Sequence, residues 1–309
     1  MPLPWDADRE LTPAAAASAI AAQFPFLAPV ELQWLDEGWD NEVYRANETW
    51  VFRFPKRREV VPWVEREIGV TRLVADRLSI PVPRFELVGR PAEHFPYPFV
   101  GYRFLPGIPA NKVDLARDAL NSAAVTIGAA LADLHAIPEK DVRPLGSPVE
   151  NEGPREWLQE CVDNADNIRA GLGDHARCWE SYLHGDVPVP DPAAQRCLVH
   201  NDLGHEHILV DACTARVTAI IDWADAAIAD PVLDFIGIYI WGGEGMVTRA
   251  LEHYGTVDDQ AAFMARLRYA VVTRVLTWIG ETQHQRPLWR GETEWARWLV
   301  AVGRPRYGL

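Results

Sequence analysis

The hydrophobic period of this 309-residue chain changes near residues 104–107, from the alternation of strands to the three-to-four spacing of helices. That change limits the fold more than any other feature. Upstream, a short helix is expected at residues 13–23, with Thr12 placed to cap it and Pro13 to open its first turn. Residues 31–54 then read as three strands in a meander, separated by a turn at Glu37-Gly38-Trp39 and a polar hairpin turn near Asn47-Glu48. A helical stretch follows at 61–78, Pro81 and Pro83 break it, and PRFELVG and YPFVGYRFL add two extended runs. Downstream, helical spacing holds at 115–137, 156–172, 231–241, 246–254, 258–280 and 292–302. CLVH (197–200), HILVD (207–211) and RVTAIIDW (216–223) interrupt it as small strands flanking polar tips. Strands gathered ahead of helices define an α+β class in two lobes: a small β-rich N-lobe over residues 1–106 and a larger, mostly helical C-lobe over residues 107–309.

Composition excludes several function classes. With 48% hydrophobic and 24% charged residues the chain is neither disordered nor fibrous. A net charge of −14 repels phosphate backbones, so no nucleic-acid partner is expected, and a cationic small molecule is attracted instead. Cys161, Cys178, Cys197 and Cys213 are too widely and irregularly spaced for a zinc site or a disulfide framework, which leaves free thiols. The start, MPLPWDADRE, lacks the pattern of a leader, and the alanine-rich run at 14–22 is too short to cross a bilayer. The expectation is a cytoplasmic protein, away from membranes, monomeric or weakly dimeric.

The densest chemistry lies in LVHNDLGHEHILVD and VTAIIDWADAAIADPVLDF. Asp202 and Asp222 each end an apolar strand-like run, and a hairpin between them can bring both to one site. One such carboxylate can accept a hydroxyl proton while another holds a divalent cation against a transferring phosphoryl group. A lone loop aspartate caps a turn as readily, but the clustering of His200, Asp202, His205, His207 and Asp222 weakens that alternative. Zinc is disfavoured because no HExxH spacing supplies a third ligand.

The pattern H-N-D-x₄-H-I-L-V-D followed by I-I-D-W resembles the catalytic and metal-binding segments of the aminoglycoside and macrolide phosphotransferases, antibiotic kinases with a protein-kinase-like fold. The resemblance implies Asp202 as the catalytic aspartate, with His200 as its packing neighbour, and Asp222 as the magnesium ligand. His207 stands where many members carry a magnesium-binding asparagine. In D-P-V-L-D-F, Asp230 and Pro231 suit the start of a helix, and Asp234 is expected to bond amides of the catalytic loop. In the N-lobe the resemblance makes Gly38 and Asn41 part of the turn over the nucleotide phosphates and Arg53 the phosphate clamp, with Lys56 as fallback. Glu67 becomes the helix carboxylate that pairs with the clamp. Tyr102 to Leu105, with Tyr102 and Phe104 as the named contacts, falls at the hinge whose backbone would bond a purine, and LADLHAI resembles a helix expected only to pack.

The implied activity is magnesium-dependent transfer of the γ-phosphate of ATP or GTP to a hydroxyl of a small-molecule antibiotic. An aminoglycoside is favoured, with a macrolide or nucleoside antibiotic next. Asp225 and Glu244 are candidate contacts for its ammonium groups, together with Asp163, Asp166 and Glu281. The alternatives are a metabolite kinase of choline, homoserine or sugar type, or a nucleotide-binding pseudokinase acting as an interaction module.

Overall fold

The structure is a computed structural model that describes residues 6–282 apart from 151, 256 and 258. The helix expected at 292–302 lies outside the described residues. Helix α1 (Pro13–Gln23) opens with the Thr12 hydroxyl accepting the Ala15 amide. The meander forms as strands β1 (Leu32–Glu37), β2 (Asn41–Ala46) and β3 (Trp50–Pro55), followed by helix α2 (Val61–Ala75) and strands β4 (Leu87–Gly89) and β5 (Phe99–Arg103). The five strands make one antiparallel sheet in the order β1-β2-β3-β5-β4, so β3 is central, and all six of its residues are buried.

The pleat of β3 divides its side chains between two cores. Phe52 and Phe54 pack with Ala16, Ile20 and Phe99 under α1, where the Phe54 and Phe99 rings stack 4.7 Å apart. Val51 packs on the opposite face with Val64 of α2 and with Val100 and Tyr102 of β5. Arg53, two residues beyond Val51, therefore points to the α2 side, where Glu67 waits.

Beyond the short strand β6 (Ile108–Pro109) the chain is mostly helical: α3 (Arg117–His135), α4 (Glu139–Val142), α5 (Pro154–Asp163), α6 (Ala165–Leu172) and α7 (Glu180–Leu183). The helix expected at 156–172 is two helices that meet at Asn164. Strands β7 (Cys197–Val199), β8 (Ile208–Val210), β9 (Val217–Ile220) and β10 (Ala227–Ala229) follow. Helices α8 (Leu233–Tyr254) and α9 (Gln260–Thr282) complete the described chain, and α8 breaks at Gly243, where φ is +71°. Helices α3 and α8 approach so closely that a Cβ on Gly128 would stand 2.1 Å from the Ala250 carbonyl oxygen. Strands β8 and β9 form the hairpin between the two aspartates, whereas β7 pairs with β10, a strand that AIA is too short to announce. No single helix among the described residues is long and apolar enough to cross a membrane.

Candidate active site

The loop after β7 carries His200, Asn201 and Asp202, and a buried carboxylate holds it. Asp234, in the first turn of α8, accepts the amides of His200 (3.0 Å) and Asn201 (2.8 Å). It also accepts His135 Nε2 at 2.9 Å, and His135 Nδ1 lies 2.7 Å from the Tyr254 hydroxyl. The helix that was expected only to pack thus supplies a hydrogen-bonding brace. His200 is fully buried; its Nε2 donates to the Ile221 carbonyl at 3.0 Å, tying the Asp202 loop to the Asp222 loop. Burial lowers its pKa, which favours the neutral ring this pattern requires.

Gly237 makes the close approach of α8 to this loop possible, because a Cβ there would lie 2.1 Å from the Leu203 carbonyl oxygen. Gly237→Ala should therefore cost about 1–3 kcal/mol of stability, as overpacked cores do, and lower turnover by moving Leu203 beside Asp202. Thermal unfolding and steady-state rates check this; a variant with unchanged melting and turnover contradicts the packing.

His207 bridges the two aspartates. Its Nδ1 is 2.7 Å from the Asp202 carbonyl oxygen, an acceptor only, so Nδ1 carries the proton and Nε2 faces Asp222 Oδ2 at 3.7 Å. Burial opposes a charge on His207, but Asp202 and Asp222 outweigh it and raise its pKa. Asp202, half exposed, is itself raised, by partial desolvation first, against the pull of His207 and His200. Asn201 and Asp222 both adopt left-handed backbone, with φ of +69° and +64°. Strained non-glycine residues of this kind persist where the surrounding structure fixes them.

The N-terminal sheet contributes a cation. Arg53 Nη1 donates to Glu67 Oε1 at 2.6 Å and Arg53 Nη2 to Asp222 Oδ1 at 3.1 Å, while the Trp223 amide also donates to Glu67 Oε1. Burial works against the charge on Asp222, yet Arg53 and His207 hold its pKa below the ordinary value. Lys56 lies away from this cluster. Its ammonium donates to Glu37 Oε1 at 2.6 Å, and Arg57 donates to the Trp39 carbonyl and to Asp40. The Gly38 amide closes the same turn on the Asn41 carbonyl. At the expected hinge, Tyr102 is a buried side chain packed on Phe85, and the Phe104 amide is spent on the Thr49 carbonyl at 2.8 Å. Since strand amides alternate in direction, Arg103 and Leu105 are the residues that turn backbone groups away from β3.

Asp202 opens onto a cavity of about 570 Å³. Glu150, Glu152, Glu206, Asp225 and Glu281 add carboxylates to its wall, Leu233, Ile236, Ile240 and Trp278 give it an apolar side, and Arg274 is its one guanidinium among the described residues, with His205 3.0 Å from Glu206. Glu244 does not line it and is instead paired with Arg268 on the surface, with Nη2 to Oε1 at 2.5 Å. Asp163 and Asp166 are likewise engaged elsewhere, by Gln159 and Arg169. Glu150, Glu152 and Arg274 carried no sequence signal, since they come from separate loops and helices that only the fold brings together, whereas Glu206 lies between His205 and His207 in the segment already singled out.

A sequence profile described as the phosphotransferase enzyme family (APH) matches residues 31–268, which include both aspartates, His207 and Arg53. The chain belongs to this family. YcbJ, an uncharacterized protein of Bacillus subtilis (strain 168), is 28% identical to this phosphotransferase over 243 residues, 73% of this chain and 74% of YcbJ. The GDP and kanamycin complex of APH(2")-IIIa superposes with a TM-score of 0.71 at 23% identity, covering 93% of this chain and 96% of that one. Macrolide 2'-phosphotransferase MphH from Brachybacterium faecium superposes with a TM-score of 0.65 at 21% identity, over 94% and 98% of the two chains. The phosphotransferase therefore has the α+β, bilobal kinase-like fold of these proteins.

Proposed function

We propose that this phosphotransferase moves the γ-phosphate of ATP or GTP onto a hydroxyl of a cationic small-molecule antibiotic in the cytoplasm, with an aminoglycoside as the favoured acceptor. The observation that carries this reading is the cavity at Asp202, in which six carboxylates face one guanidinium. Such a wall suits a polyammonium acceptor and brings its hydroxyls beside Asp202. Asp202 orients the acceptor hydroxyl and takes its proton. Arg53, fixed by Glu67, holds the nucleotide phosphates. Asp222 Oδ2 and His207 Nε2 form a donor pair that fits a divalent cation, carboxylate oxygen being the preferred partner of magnesium and imidazole a weaker one. When bound there, magnesium would neutralise charge on the phosphates. The apolar side of the cavity favours a second reading, a macrolide with a single ammonium group.

The test is a mass-shift screen of the purified protein with MgATP and MgGTP against aminoglycosides, macrolides, nucleoside antibiotics, choline, homoserine and sugars. A gain of one phosphate on an aminoglycoside is expected. Phosphate gained only by the metabolites overturns the antibiotic reading. A pH dependence follows as well. Partial desolvation, with Asp202 and Asp222 nearby, pushes the solvent-accessible Asp225 up to about 6. The carboxyl is therefore charged above that pH and neutral below it, so acceptor KM should rise several-fold from about pH 7.5 to about 5.5. Asp225→Asn should show a high KM and a flatter profile; parallel profiles for the two proteins would count against Asp225 as an ammonium contact.

A further inference from the structure

The turn between β1 and β2 is held by two buried cations. Lys56 and Arg57 are 6% and 7% exposed, and Lys56 bonds Glu37 and the Gly38 carbonyl. Arg57 donates to the Trp39 carbonyl at 3.1 Å and to Asp40 Oδ1 at 2.5 Å. Burying two basic groups to fix four residues is costly unless the position of those residues matters. What they fix is the backbone at Trp39, a residue that is 44% exposed and forms part of the wall of the acidic cavity. Asp40, beside it, also sits in the field of Asp222 and Asp225 across the cleft.

We propose that Trp39 is an acceptor-binding, specificity-determining residue contributed by the β-rich lobe, with Arg57 as its positioning residue. The inference rests on the acceptor reading above and names a wall of that same site. An indole face beside a ring of carboxylates suits a ligand carrying both ammonium groups and a flat apolar or sugar face, through cation–π attraction and apolar contact. The turn belongs to the β-rich lobe, so the acceptor pocket is complete only when the two lobes are apposed.

Steady-state kinetics with kanamycin as the acceptor probe, and calorimetry with the nucleotide alone, test this on Trp39→Ala, Trp39→Phe and Arg57→Gln. For Trp39→Ala the acceptor KM should rise about tenfold or more, the size of effect expected for an exposed aromatic side chain that the bound acceptor covers. Its kcat should fall by less than KM rises, nucleotide affinity should stay within about twofold, and Trp39→Phe should recover most of the loss. Arg57→Gln should raise KM in the same direction with a smaller kcat effect. An unchanged KM, or an equal loss of nucleotide affinity, overturns the proposal. If the wild-type protein phosphorylates neither kanamycin nor any other cationic antibiotic, the acceptor reading fails and a separate readout decides on Trp39. In that case MgATP hydrolysis, in which water attacks the γ-phosphorus and ADP leaves, should quicken about threefold or more in Trp39→Ala as the cavity opens to water. An unchanged hydrolysis rate, including none in either protein, overturns the assignment of Trp39.

Discussion

Asp202→Asn should lower phosphoryl transfer by about 10²–10⁴-fold, the range a positioned general base supplies, while nucleotide affinity stays within about twofold. The carboxylate lines the cavity, 49% exposed, and lies 3.5 Å from His207. The loop under it is held by backbone amides on Asp234, which the substitution leaves alone. Asparagine keeps the size and loses the basicity, so the loss should fall on kcat, with thermal stability nearly unchanged. Rapid-quench or steady-state rates together with calorimetric nucleotide titration separate the two quantities. Turnover at the wild-type rate would remove Asp202 from the chemistry and leave it a capping residue.

How far the site could be read from the sequence depended on how local its determinants are. The meander announced itself because three short runs with apolar and aromatic residues are separated by turns that carry glycine or asparagine; the break in α8 at Gly243 was legible as two helical runs, 231–241 and 246–254. Asp202 and Asp222 stood out because each follows an apolar run, and the β8–β9 hairpin that joins them is local. Strand β10 was not legible, since three residues of AIA acquire their meaning only from pairing with β7 about thirty residues earlier. The same holds for the brace at His135 and Tyr254 and for the cavity wall at Glu150 and Arg274, which join residues about a hundred or more positions apart that no periodicity marks. Glu244 misled for the opposite reason. A free carboxylate and one paired with Arg268, a full 24 residues on, read alike until the two helices pack.

Breaking the Arg53–Glu67 pair should produce the largest loss of stability. Both groups are buried, at 8% and 1% exposure, and Glu67 Oε1 accepts both the guanidinium and the Trp223 amide. In Arg53→Met the carboxylate of Glu67 keeps only the amide and stays inside the protein, so the variant should lose about 3–5 kcal/mol, as when one partner of a buried pair is removed. Glu67→Gln retains an oxygen for Trp223 and for Arg53, and Arg53 keeps Asp222, so a smaller loss of about 1–3 kcal/mol is expected. The double variant Arg53→Met/Glu67→Leu is the informative one. An apolar pair of similar volume is often as stable as the ions it replaces, so melting should return toward wild type although nucleotide binding and turnover stay lost. Stability and activity would then separate at one position, which assigns the buried charge on β3 to phosphate binding and relieves the fold of any need for it. Recovery of nucleotide affinity in the double variant would show instead that Arg53 serves only to neutralise Glu67.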